Sequence, residues 1–193
     1  MARRAVEQEL SRERIIQVAR ELFATQGYRA VSMRSVGKAL GYSHGSLYYH
    51  FREKAELFYG VIVSDFIQLD EILGDVMGEP SLDGQSKIEQ MMLTFIRFGL
   101  DNPHQYEIMF LISDDELVRY SQPEQMHVFE RFSALVRETI KAPLDADAAR
   151  TLSLHFFMSL HGFITHHIHS RKSFADVSGL ARSHVRFLCR DLQ

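Results

Sequence analysis

The tightest constraint on this chain lies between Val31 and Lys54, where two short helical patterns are separated only by Gly41 and Tyr42. Ser32 is placed to cap the first by accepting a hydrogen bond from an unpaired backbone N–H. Val36, Ala39 and Leu40 then recur at helical spacing. Gly41 supplies the positive φ that a sharp helix stop needs. Ser43 is a second N-cap, and Leu47 and Phe51 form the buried edge of the helix that follows. His44, Ser46, Tyr48, Tyr49 and His50 remain on its open side, with Lys54 just beyond. The pattern is a helix-turn-helix whose open face is suited to nucleic acid.

The surrounding sequence is helical throughout, with no strand signal, repeat or low-complexity run, so the expected fold class is all-α. Ile15, Val18, Ala19, Leu22 and Phe23 make one apolar stripe between Ser11, a plausible cap, and Gly27. That stripe needs Val36, Leu40, Leu47 and Phe51 to cover it, which predicts a three-helix unit over residues 11–54. A long helix from Glu53 to about Met77 follows without a linker, so the unit and the remainder are mechanically coupled. A second long helix carries Ile88, Met91, Met92, Phe95 and Phe98 and stops at Asn102-Pro103. After a polar turn at Ser113–Glu116, Pro123 marks the start of a helix through Phe129, Phe132 and Ile140, closed by Pro143. Residues 145–169 are apolar on more than one side, and 174–191 follow a spacing close to a coiled-coil seam. These last two helices have apolar surface to spare, which predicts a homodimer packed as a four-helix bundle.

Charge divides the chain in the same place. Residues 1–54 hold ten Lys and Arg against five Asp and Glu, whereas 55–193 hold twelve against twenty. A basic end on an acidic body points to polyanion contact through the first part alone. Residues 1–10 read as a flexible basic arm, 11–54 as the DNA-binding domain, and 55–193 as the regulatory and dimerisation domain. No apolar run is long enough to span a membrane. A single cysteine, Cys189, fits a reducing compartment, so the expected location is cytoplasmic.

The run Gly27-Tyr28 … Val31-Ser-Met-Arg34 … Leu40-Gly-Tyr-Ser-His-Gly-Ser-Leu-Tyr-Tyr-His-Phe-Arg-Glu-Lys54 … Leu57 resembles the N-terminal domain of TetR/AcrR-type transcriptional regulators. The resemblance implies an all-α homodimer that binds a palindromic operator, usually as a repressor, and leaves it when a small ligand occupies the C-terminal domain. It places Ser32 and Arg34 at DNA from the first helix of the pair. It places Ser43, His44, Gly45 and Ser46 at the bases, and Tyr48, Tyr49, His50 and Lys54 at phosphates. Phe157 … His161-Gly162 further resembles a subgroup's C-terminal domain, with Phe157 where that subgroup has Trp.

Met91, Phe95, Phe98, Tyr106, Met109, Phe110, Phe129, Phe132, Met158 and His161 form a soft, aromatic set able to line a pocket for an apolar or amphipathic effector. Ten histidines raise the alternative of a metal-responsive regulator. His166 and His169 lie one turn apart, but no carboxylate or thiolate is spaced to complete a site, so no metal and no cofactor are expected. Response to a protein partner, or activation in place of repression, are further alternatives. Nucleophile elbows, phosphate-cradling glycine loops and zinc-protease motifs are missing, and the chain does not read as an enzyme.

Overall fold

The computed structural model describes residues 10–112, 115–139 and 145–190, and all of the regular structure among them is helical. Most of the basic arm, Ser113 and Asp114 of the polar turn, Ile140 and Pro143 lie outside the described residues. The first three helices are α1 (Arg12–Gln26), α2 (Met33–Leu40) and α3 (His44–Leu47). Long α4 (Lys54–Gly78) and α5 (Gly84–Asp101) follow, then the short α6 (Pro103–Tyr106) and a π-helical turn, Glu107–Leu111. Helices α7 (Asp115–Thr139), α8 (Ala146–His169) and α9 (Phe174–Cys189) complete the order.

Helix starts follow from local chemistry. Side chains of Ser11, Ser32, Ser43, Asp83, Asp145 and Ser173 each accept a backbone N–H of the first turn they precede. Each such cap contributes about 0.5–2 kcal/mol. Ser32 and Ser35 cap reciprocally, as do Ser173 and Asp176. Gly41 ends α2 in the left-handed region at φ 77°. Gly37 is needed for a different reason: a Cβ there would stand 3.1–3.2 Å from the backbone of Tyr42 and His44, where α3 crosses α2.

One continuous apolar core joins the two parts. Ile15, Ala19, Phe23, Val36, Leu47 and Phe51 are buried against Leu57, Phe58 and Val61 at the start of α4. Phe23 and Phe58 meet edge to face at 5.2 Å. Further along, α4 packs on α5 and α7, and α5 on α8 and α9. The helix joining the three-helix unit to the remainder is therefore a wall of the core on both sides of the junction.

Two expectations need correction. Pro123 does not open a helix but lies inside α7, which already runs from Asp115. A proline removes one N–H and crowds the carbonyl one turn back, yet packing of α7 on α4, α5 and α8 outweighs that cost. The helical segment with α3 is also shorter than its apolar pattern implied. It ends at Leu47 and continues as tight turns, with His50 N–H donating to Leu47 O at 2.9 Å. Arg12 holds those turns by donating to His50 O at 2.8 Å, its guanidinium 4.0 Å from the centre of the Phe51 ring.

Candidate nucleic-acid interface and internal cavity

Nine of the ten residues assigned to DNA belong to the start of α2 with its cap, to α3 with its cap, and to the turn after it. Ser32, Arg34, Ser43, His44, Gly45, Tyr48 and Tyr49 are exposed, while Ser46 and His50 are half-buried. Tyr49 is 92% exposed and Tyr48 49%, so neither ring serves the three-helix core. His44 and Tyr48 stand edge to face, 6.3 Å apart. Ser43 Oγ and Ser46 Oγ share a hydrogen bond of 2.9 Å at the start of α3. Small side chains at this end allow close approach, and hydroxyls, tyrosines and a guanidinium are the groups that position and read a duplex.

Lys54 is placed differently. Its ammonium donates to Tyr28 O at 2.9 Å and Val31 O at 3.0 Å and lies 4.1 Å from the Tyr28 ring centre. Two of its three N–H groups thus tie the loop between α1 and α2 to the start of α4. It is not the unattached cation that a phosphate contact would use.

The sequence offered no sign of a second junction between the two parts. Asp65 on α4 is fully buried, and its Oδ1 accepts from Arg20 Nε of α1 at 2.7 Å and from Gln105 Nε2 of α6 at 3.1 Å. Its Oδ2 has no partner among the described residues. Burial pushes this carboxyl above its ordinary range, although Arg20 and Gln105 pull the other way. Periodicity could not reveal it, because a charged residue on the inner face reads as a break in the stripe.

The core beyond the three-helix unit contains an apolar cavity of about 50 Å³, walled by α4, α5, the π-helical turn, α7 and α8. Five of the ten expected pocket residues line it: Met91, Phe95, Phe110, Phe129 and Phe132. Leu73, Met92, Gln125, Val128, Phe157 and Leu160 complete the lining. Gln125 is the polar member, and its amide donates to Met109 O at 2.6 Å.

The other five do not line this cavity. Phe98 and Met109 are buried in ordinary core. Tyr106 and His161 stand behind the aromatic wall, joined by a hydrogen bond of 2.6 Å between Tyr106 Oη and His161 Nδ1. Burial raises the Tyr106 hydroxyl and lowers the His161 imidazole, so the phenol donates to a neutral ring. Met158 points outward, 62% exposed. Leu180 and Phe187 of α9 are also exposed, at 56% and 58%. Among the described residues, no group of three or more His, Cys, Asp or Glu is arranged to hold a metal ion. His169 Nδ1 instead sits 2.6 Å from Thr165 O of its own helix. No described helix is long and apolar enough to cross a membrane.

Comparison with known proteins gives two family matches. Residues 15–61 match the family described as bacterial regulatory proteins, tetR family, and residues 88–188 the tetracyclin repressor-like C-terminal domain. The transcriptional regulator AcrR of Shigella flexneri is 33% identical over 87 residues, 45% of this chain and 37% of AcrR. A helix-turn-helix transcriptional regulator of Staphylococcus aureus is 42% identical over 55 residues, 28% of this chain and 30% of that protein. The chain thus aligns with less than half the length of these relatives. Among solved structures, FadR of Bacillus halodurans, a fatty acid degradation regulator, superposes with TM-score 0.79 at 16% identity over 95% of this chain and 96% of that one. FadR of Bacillus subtilis, in complex with stearoyl-CoA, does so with TM-score 0.77 at 17% identity over 93% and 98%. At such identities the likeness is one of fold.

Proposed function

The chain belongs to the TetR family of bacterial regulatory proteins and is a DNA-binding transcriptional regulator, and from that premise we propose that it acts as a homodimeric repressor released from a palindromic operator by a small apolar or amphipathic ligand in its internal cavity. The observation that carries this reading is the double duty of α4. At one end Lys54 holds the loop beside the helix-turn-helix, and at the other Leu73 lines the cavity.

A cavity of about 50 Å³ is far below the roughly 300–1,000 Å³ of a ligand site. Binding therefore requires its walls to move. Phe110 is one of those walls, and the short segment that carries it also carries Gln105, which bonds to Asp65 and through it to Arg20 of α1. Expansion of the cavity shifts that segment and re-aims α1 and the recognition helix with it. The ligand must favour the displaced arrangement, so that its binding depopulates the DNA-competent dimer.

Met158 on α8 and Leu180 and Phe187 on α9 offer the two-fold contact. Paired recognition helices then meet successive major grooves about 34–36 Å apart. The stearoyl-CoA bound by FadR of Bacillus subtilis supports an apolar ligand here, since this cavity is lined by the class of side chain a hydrocarbon needs.

Selection from a random duplex library tests the DNA half. Recovery of an inverted repeat with half-sites about ten base pairs apart, lost in a Tyr49→Ala, His44→Ala variant that remains folded, is the expected outcome. Enrichment of a single half-site, or of nothing, defeats the dimeric operator reading.

A further inference from the structure

The cavity and an open cleft of about 590 Å³ between α7 and α8 share a wall. Gln125, Phe129 and Phe157 line both. Phe129 and Phe157 stand edge to face, 6.5 Å between centroids, so a change of side-chain rotamer is what parts them. On the inner side the surroundings are apolar apart from the Gln125 amide. On the outer side stand Gln122, Thr151 and Arg150, and among the described residues no carboxylate lines the cleft. A molecule lodged through this wall has one end in hydrocarbon and the other beside a guanidinium.

We propose that the α7–α8 cleft is the entrance to the cavity and the seat of the ligand's head group, an anionic carboxylate or phosphate held by Arg150, with the attached apolar chain passing between Phe129 and Phe157. This rests on the cavity being the effector site and adds the chemical class of the effector. Arg150 is suited to the exchange. It is paired with Glu130 of α7, but both side chains are about half exposed, at 48% and 47%. An exposed pair of that kind is worth little, about 0–1 kcal/mol, so a ligand anion can replace Glu130 at small cost. The guanidinium also lies over the Phe129 ring, 5.4 Å from its centroid. Drawing Arg150 towards a ligand anion removes it from that ring and frees the gate to turn. Arginine's planar fork matches either a carboxylate or a phosphate.

The test uses the chain's lack of tryptophan. A Phe157→Trp variant carries a single indole in the gate. It is titrated with dodecanoate, dodecyl phosphate and dodecanol, which share one chain and differ in head group. Each should shift the indole emission saturably, with the anionic probes binding about tenfold or more tightly than the alcohol, equivalent to about 1.4 kcal/mol. The ratio of carboxylate to phosphate shows which head group the cleft prefers. Arg150→Gln in the same background should abolish the tenfold difference between the anionic probes and dodecanol. Calorimetric titration of the unsubstituted protein with dodecanoate and dodecanol repeats the comparison without the reporter. Equal binding of acid and alcohol, a uniform loss for all probes in Arg150→Gln, or no binding at all overturns the proposal. Operator release is measured separately by fluorescence anisotropy. Probes that release DNA without distinguishing head groups refute the cleft while leaving the cavity's role intact.

Discussion

Replacing Arg20 or Asp65 probes the contact between the DNA-binding unit and the rest of the protein, and the two substitutions should not be equivalent. Arg20→Met leaves the Asp65 carboxyl buried with an oxygen that already lacks a partner. Removing one member of a buried pair costs about 3–5 kcal/mol. The Gln105 donor remains, which puts Arg20→Met at the low end, about 3 kcal/mol per subunit. Asp65→Asn is milder. It removes the charge that burial disfavours, and the Arg20 side chain, 21% exposed, regains part of its hydration. About 1 kcal/mol is expected, the size of one net hydrogen bond. The double variant should cost about 2 kcal/mol, giving a coupling energy near 2 kcal/mol. Urea unfolding at one fixed protein concentration supplies all four stabilities. The Arg20→Met penalty should also shrink on acidification, because the raised Asp65 carboxyl takes up a proton and loses its buried charge. A coupling below about 0.5 kcal/mol, as for an exposed pair, or a larger loss from Asp65→Asn than from Arg20→Met, would refute the reasoning.

The same geometry gives further expectations. Lys54→Ala should lower stability by about 1–2 kcal/mol, since two charge-assisted bonds to carbonyls are lost from a half-buried site. The slope of log affinity for operator against log salt should fall by well under the ~0.9 of one phosphate contact; a full unit with unchanged stability contradicts the tether. Substituting exposed Arg34 or His44 by Ala should alter which operator bases are tolerated, at about 1–3 kcal/mol per position, read by binding to single-base variants. Burial lowers His161, His167 and His184 below the ordinary 6.5. Their contribution to stability is therefore complete above about pH 6.5 and is lost as pH falls through the lowered values. The melting temperature should drop between pH 7.5 and 5.5, and less so in His161→Asn, whose amide oxygen still accepts from Tyr106.

What was legible in the sequence was whatever depends on neighbours along the chain. The caps Ser11, Ser32 and Ser43, the left-handed Gly41 and the buried Leu47 and Phe51 all follow from spacing within one or two turns, and all stand where they were expected. The clamp of Lys54 on Tyr28 and Val31 and the Arg20–Asp65–Gln105 junction depend on residues 23–45 positions apart, to which periodicity is blind. Pro123 misled because proline suits a helix's first turn and is disfavoured inside one, whereas here packing on α4, α5 and α8 carries α7 across it. The cavity was half legible for a related reason. Met158 sits on a helix apolar on more than one side, and composition does not separate its outward methionine from an inward phenylalanine such as Phe129.

The most direct test of the proposed switch is the distance between recognition units in the proposed dimer. Arg52 is exposed beside them, and Arg52→Cys accepts a spin label. Cys189 will not compete, because burial pushes its thiol up to about 12. Pulsed electron resonance should give one narrow distance on the selected operator, consistent with recognition helices about 34–36 Å apart. Dodecanoate, at concentrations that release the DNA, should move that distribution to a different mean. An unchanged distribution with DNA released, or no intersubunit distance at all, would contradict the account.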